Sequence, residues 1–159
     1  MRLLLLFLLL ALRSPGFSAD LGGAVVRAPG GWPVWAKSLE QEIYLAPDPE
    51  VEEAFLRVYR AASVSLRGTL RGELREAMRG RNVVRISPEH HGTTEDGLAV
   101  VAQVVISEDA LGARRHTLLA VVQGVRVAVL LQFEASSAEM LSQHFDVLMK
   151  TASAVRFPE

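Results

Sequence analysis

The chain has 159 residues, 50% of them hydrophobic and 22% charged, with a formal net charge of −1 and no cysteine. Thiol chemistry, disulfide staples and a lipid carried on cysteine are excluded, and the near-neutral balance gives no electrostatic case for nucleic acid. A chain of this size suffices for one domain that buries about two-thirds of its unfolded surface.

In residues 1–19, Arg2 gives a positive start, residues 3–12 are an unbroken run of ten apolar side chains, and Ser14, Pro15 and Gly16 then break the helix. Spanning a bilayer takes roughly 20 apolar residues, so the segment reads as a secretory signal peptide rather than an anchor. Cleavage after Ser18 suits the small-residue rule, with Gly16 three positions before the cut. Losing Arg2 and Arg13 moves the formal charge from −1 to −3. The expected product is one exported domain over residues 20–159, periplasmic or secreted.

Residues 24–28 form a short extended run, closed by the turn signal Pro29-Gly30-Gly31. Trp32 and Trp35 follow, read as plugs for one end of the core, with a platform for a carbohydrate or aromatic ligand as the sharper alternative. Pro33 lacks an N–H and belongs at an edge or in a turn. Residues 42–46 are a second strand. Asp48 and Pro49 then suit a helix start, and Glu50, Glu52 and Glu53 suit its positive end. Val51, Ala54, Phe55, Val58, Tyr59, Ala62 and Leu66 fit a buried helical stripe, continued by Leu70, Leu74 and Met78 to a stop at Gly80. Gly68 and Gly72 each cost about 1 kcal/mol inside a helix. The expectation is one kinked helix, or two broken near Gly68.

Residues 82–87 are a strand ended by Pro88, followed by a polar loop over residues 89–97. Residues 98–107 are apolar on both faces except at Gln103, which places that strand inside a sheet with both faces covered. Residues 114–134 read as a β-hairpin turned at Gln123-Gly124. Val125, Val127, Val129, Leu131 and Phe133 alternate in it, so one face meets a core. Ser136-Ser137-Ala138-Glu139 spells a capping box in which a serine accepts from the Glu139 N–H. Leu141, Phe145, Leu148 and Ala152 then line one face of a helix, and a short strand closes the chain. Successive strands on short turns, with helices before and after, predict an α+β chain: an α/β/α sandwich with a central, mostly antiparallel sheet.

The Pro29-Gly30-Gly31-Trp32 segment, the three-strand meander, and the ending with Phe145, Leu148, Met149, Val155, Arg156 and Phe157 together resemble the PsbP-like/Mog fold family, which includes DcrB- and LpqN-like exported bacterial proteins. The likeness covers most of residues 24–157 and lies in order and spacing. It implies the same α/β/α sandwich and an accessory or protein-binding role without catalysis. The lipoprotein tether of many bacterial relatives does not carry over to a chain without cysteine.

No Gly-x-Ser-x-Gly elbow, phosphate-binding glycine loop, His-Glu-x-x-His or EF-hand loop is present in the sequence. Two clusters carry the remaining candidates. Arg67, Arg71, Arg75 and Arg79 recur every four residues, so a continuous helix would line them up for an anionic partner, with Glu73 and Glu76 close enough to neutralise them in part. His90, His91, Glu95 and Asp96, with Glu89, offer imidazole and carboxylate in one loop, a possible ligand or metal site, read beside the plainer alternative of a solvated loop. Adjacent histidines on an extended backbone point to opposite sides, which weakens a shared site. The reading is an exported, non-catalytic accessory or protein-interaction domain whose partner is another envelope or secreted protein. The alternative is a small-ligand or metal-binding periplasmic protein. No cofactor is expected.

Overall fold

The computed structural model describes residues 21–38, 40–46, 54–61 and 66–158. The signal-peptide reading and the helix start at Asp48 and Pro49 lie outside the described residues. No described helix is long and apolar enough to cross a membrane.

The elements run β1 (Val34–Lys37), β2 (Gln41–Leu45), β3 (Phe55–Ala61), α1 (Leu66–Ala77), β4 (Asn82–Ile86), β5 (His90–Thr93), β6 (Ala99–Glu108), β7 (Arg114–Gln123), β8 (Ala128–Ala135) and α2 (Ala138–Ser153). All eight strands share one sheet in the order β1-β2-β3-β8-β7-β6-β4, with β5 also on β6. Every pairing is antiparallel. On one face Met140, Leu141, Leu148 and Ala152 of α2 meet Leu118, Ala120, Val129, Leu131 and Phe133. On the other, Leu70 and Leu74 of α1 and the following Met78 meet Val101, Val105, Leu119, Val121 and Leu130. Alternate residues of one strand therefore feed two cores. The result is the α/β/α sandwich expected from the sequence.

The main correction concerns residues 55–61. They form a strand, not the first part of a helix, and they lie between β2 and β8. The apolar residues of this stretch fit both periods, because Ala54, Leu56 and Val58 alternate while Ala54, Phe55, Val58 and Tyr59 fall within a helical stripe. Strand pairing satisfies the backbone on both sides and buries Leu56 and Val58 completely. The described helix is Leu66–Ala77, and it runs through Gly68 and Gly72. Gly80 lies at φ +75°, a left-handed conformation that turns the chain into β4.

Smaller corrections follow the same logic. The 89–97 loop is in part a strand, because His90–Thr93 pairs with residues 99–102. β8 is buried on both faces rather than one, and the strand starts at Ala128, leaving Val125 exposed in the turn. Ser137 is the cap of α2, and it accepts from the Met140 N–H rather than that of Glu139. Trp32 is buried against Phe133 and His144, whereas Trp35 on edge strand β1 is 66% exposed and plugs nothing. The closing strand is a single bridge between Val25 and Arg156. Phe157 packs so tightly on Gly124 that a Cβ there would lie 2.7 Å from the ring.

Candidate functional site

The sheet face under α1 carries an unexpected line of polar residues. Gln132 and Glu134 point to it from β8, with Arg57 of β3 beside Gln132 and Thr117 of β7 beside Glu134. Both Gln132 and Glu134 are buried. Gln132 Nε2 donates to Glu134 Oε1 at 2.8 Å, and the Arg81 guanidinium donates to Glu134 Oε2 at 3.4 and 3.5 Å. The Tyr59 hydroxyl lies 3.1 Å from Glu73 Oε2 and 3.3 Å from Gln132 Oε1. This network ties α1, through Glu73, to the two central strands β3 and β8. Burial first, and then the charge of Glu73, push the Tyr59 phenol far above its ordinary value. It therefore remains a hydrogen-bond donor at neutral pH and offers no phenolate for chemistry. Tyr44 is raised likewise by burial and by Glu42, to which it donates. Arg57 Nε, Ser107 Oγ and Thr117 Oγ1 are buried near this line without a hydrogen-bond partner among the described residues.

The network decides what the arginine stripe looks like from outside. Glu73 is turned to Tyr59, and Glu76 pairs with Arg79. Neither acid therefore neutralises Arg71 or Arg75, which are exposed one turn apart. Arg67 falls within the first turn of α1, and Arg79 lies in the turn after it. Among the described residues, ion pairs engage Arg79, Arg81, Arg114 and Arg156, and none engages Arg71, Arg75 or Arg85. The four-residue spacing thus resolves into two free cations on α1, one paired in the turn, and one, Arg67, whose side chain is outside the described set.

The histidine cluster is not brought together. His90 stands opposite Ala102 and its ring meets Phe145 edge-on at 5.6 Å, on the α2 side. His91 stands opposite Val101, on the α1 side, and pairs with Glu89 at 3.2 Å. Glu95 pairs with Arg156 at 2.6 Å, and Asp96 lies 4.0 Å from the same guanidinium. His116 and His144 do not join them. No group of three or more His, Asp or Glu side chains among the described residues is placed to hold a metal.

No family model matches the chain, and no curated protein sequence matches it either. Solved structures do. The Ran-binding protein Mog1p of Saccharomyces cerevisiae superposes with a TM-score of 0.58 at 10% identity, over 88% of this chain and 93% of that one. Cyanobacterial PsbP (CyanoP) from Synechocystis gives 0.57 at 14% identity, over 89% and 91%. The chain has the PsbP/Mog fold. PA94 of Pseudomonas aeruginosa, a protein of unknown function, shares the architecture with a TM-score of 0.59 at 13% identity, over 80% and 88%. At these identities the PsbP/Mog likeness is one of fold, so residue roles have to be argued from this chain itself.

In the sequence Gln132 and Glu134 fall between the alternating apolar residues of β8, Tyr59 falls in the helical stripe and Glu73 beside the arginines, and no spacing shows that they meet one another or Arg81. A polar residue at an inward position of a central strand is the clue to look for, since it must find partners across the core.

Proposed function

We propose that this domain is an exported, non-catalytic accessory module that binds another envelope or secreted protein, in the manner of DcrB- and LpqN-like proteins, through the outer side of α1. The observation that carries the reading is the pair of unengaged guanidinium groups of Arg71 and Arg75, one turn apart on a helix fixed to the sheet by Leu70, Leu74 and the Tyr59–Glu73 contact. Guanidinium forks held on a rigid element match carboxylates on a partner and lose little freedom on binding. That Mog1p, of the same fold, is a Ran-binding protein supports a protein partner for this domain. Export rests on the apolar run at residues 3–12.

The test is a double charge reversal, Arg71→Glu with Arg75→Glu. It leaves the melting curve in place and weakens capture of the protein that co-purifies with the unaltered domain by more than tenfold, about 1.4 kcal/mol or more. Undiminished capture by the folded variant removes α1 from the interface. Turnover by the purified domain would remove the accessory reading. Export is tested by N-terminal sequencing: product beginning at Ala19 or Asp20 supports it, and Met1 retained on membrane-extracted protein overturns it.

A further inference from the structure

Among the described residues β4 ends the sheet, pairing with β6 on one side only. It exposes three apolar side chains in five residues, Val83 at 40%, Val84 at 48% and Ile86 at 52%. Edge strands are usually blunted by burial, charge or proline, because their unpaired N–H and C=O groups template another strand. Here the one charge is Arg85, which is in no ion pair among the described residues. No acidic residue lies in β4 or in the turn at residues 78–81 before it. Across that turn lies the last turn of α1 with the unengaged Arg75. Among the described residues the edge is therefore apolar, has no second strand on its outer side and carries one unengaged positive charge, Arg85.

We propose that β4 is the docking rail for an extended, acidic segment of the partner protein, which adds to the sheet as an antiparallel or parallel strand beside Asn82–Ile86. This rests on the protein-binding reading above and extends it from the α1 arginines to the neighbouring edge. Main-chain bonds to β4 supply affinity, Val83 and Ile86, both on the face that carries Val105, take alternate apolar side chains, and Arg85, on the other face, selects carboxylates. A second copy of this chain is a worse occupant. Two β4 strands paired antiparallel about Val84 would place the two Arg85 side chains as diagonal neighbours, where like charges repel. The irregular register between Val83 and Arg85 also twists the strand locally, which discourages flat edge-to-edge stacking of copies. β5 continues the same edge of β6 but is His-His-Gly-Thr in sequence, so the apolar rail stops at Ser87 and Pro88.

The probe is a synthetic peptide alternating valine with glutamate, long enough to cover β4, offered to the full domain at up to millimolar concentration. Amide exchange by NMR is the readout. Protection that rises with peptide at Val83–Ile86, absent with a peptide carrying proline at alternate positions, is expected. Arg85→Glu reduces affinity for the acidic peptide about tenfold or more and raises it for the lysine version. Val84→Gln gives a second variant that removes apolar contact without touching the charge. Absence of protection at β4, or concentration-dependent dimerisation through β4 in sedimentation, overturns the proposal. Capture of the natural partner distinguishes this from failure of the parent reading. If Arg71→Glu with Arg75→Glu abolishes capture while Val84→Gln and Arg85→Glu leave it intact, the α1 interface stands and the β4 rail falls.

Discussion

Replacing Glu134 by alanine removes the centre of the buried polar line. Gln132 Nε2 then loses an acceptor at 2.8 Å inside the core. Leaving a buried donor unsatisfied costs about 1–3 kcal/mol. Arg81 contributes less, because its contacts are 3.4 and 3.5 Å and its side chain keeps 26% exposure. A partly solvated pair of that kind is worth about 0.2–1 kcal/mol. Together they predict a loss of about 2–3 kcal/mol, or a melting point lower by about 5–10 °C for a domain of this size. Glu134→Gln keeps an oxygen facing Gln132 and should recover most of the loss. The assay is urea unfolding at neutral pH of Glu134→Ala, Arg81→Ala and the double variant, giving the coupling between the two residues as a double-mutant cycle. A coupling below about 1 kcal/mol, shrinking further in concentrated salt, is expected. An unchanged midpoint for Glu134→Ala, or a coupling above about 2 kcal/mol, would refute the assignment of Gln132 as the principal partner.

On α2, Leu148 is buried and Phe145 only half-buried against His90, so Leu148→Ala should cost about 2–5 kcal/mol and Phe145→Ala less than the ~3–5 kcal/mol of a fully buried phenylalanine. Equal or inverted losses in denaturant titration would mean that α2 is rotated. Gly124→Ala drives a methyl into the Phe157 ring and should cost about 1–3 kcal/mol, much of it relieved when Phe157→Ala is added; strictly additive losses would show that the two do not touch. Burial, and then the charge of Arg114, lower the His116 pKa, so the unfolded chain takes up the proton first. Stability should therefore fall as pH drops below the ordinary histidine value of about 6.5 and level off below the folded pKa. His116→Gln should flatten that part of the pH profile, and a profile unchanged by this substitution would rule His116 out as its source.

The parts of the fold legible in the sequence were those decided locally. The β7–β8 hairpin, the cap at Ser137 and the stripe of α2 lie within one another's reach along the chain, so spacing alone placed them to within a few residues. Residues 55–61 failed that test, because Phe55, Val58 and Tyr59 satisfy a helical period as well as Leu56 and Val58 satisfy a strand. What decided the matter was the ladder offered by β8 from the far end of the chain. The arginines show the same division. Their four-residue spacing was visible, but which of them stays unengaged depends on Glu73 turning to Tyr59, and that contact exists only once β3 is a strand. For the histidines, backbone alternation separated His90 from His91 before any topology was known, and the strand pairing of β5 sets them on opposite sides of the sheet.

The way the sheet is stitched has a consequence for how the molecule can be made. Strands β1 to β3 join the rest of the sheet through β8 alone, and Val25 is held by Arg156, which exchanges two backbone bonds with it at 2.8 and 3.1 Å. The first-synthesised third of the domain therefore has no sheet partner outside itself until the last-synthesised third exists. Contacts so distant along the chain carry a large closure cost and form late. A nascent chain ending before β8 has two half-sheets with nothing to seal them, so it stays open however long synthesis pauses there. Shortening the protein from its C-terminal end should consequently first uncover one core as α2 is lost, and cooperative folding should be gone at the latest when β8 is removed. Closure of the sheet is in effect a signal that β8 has emerged.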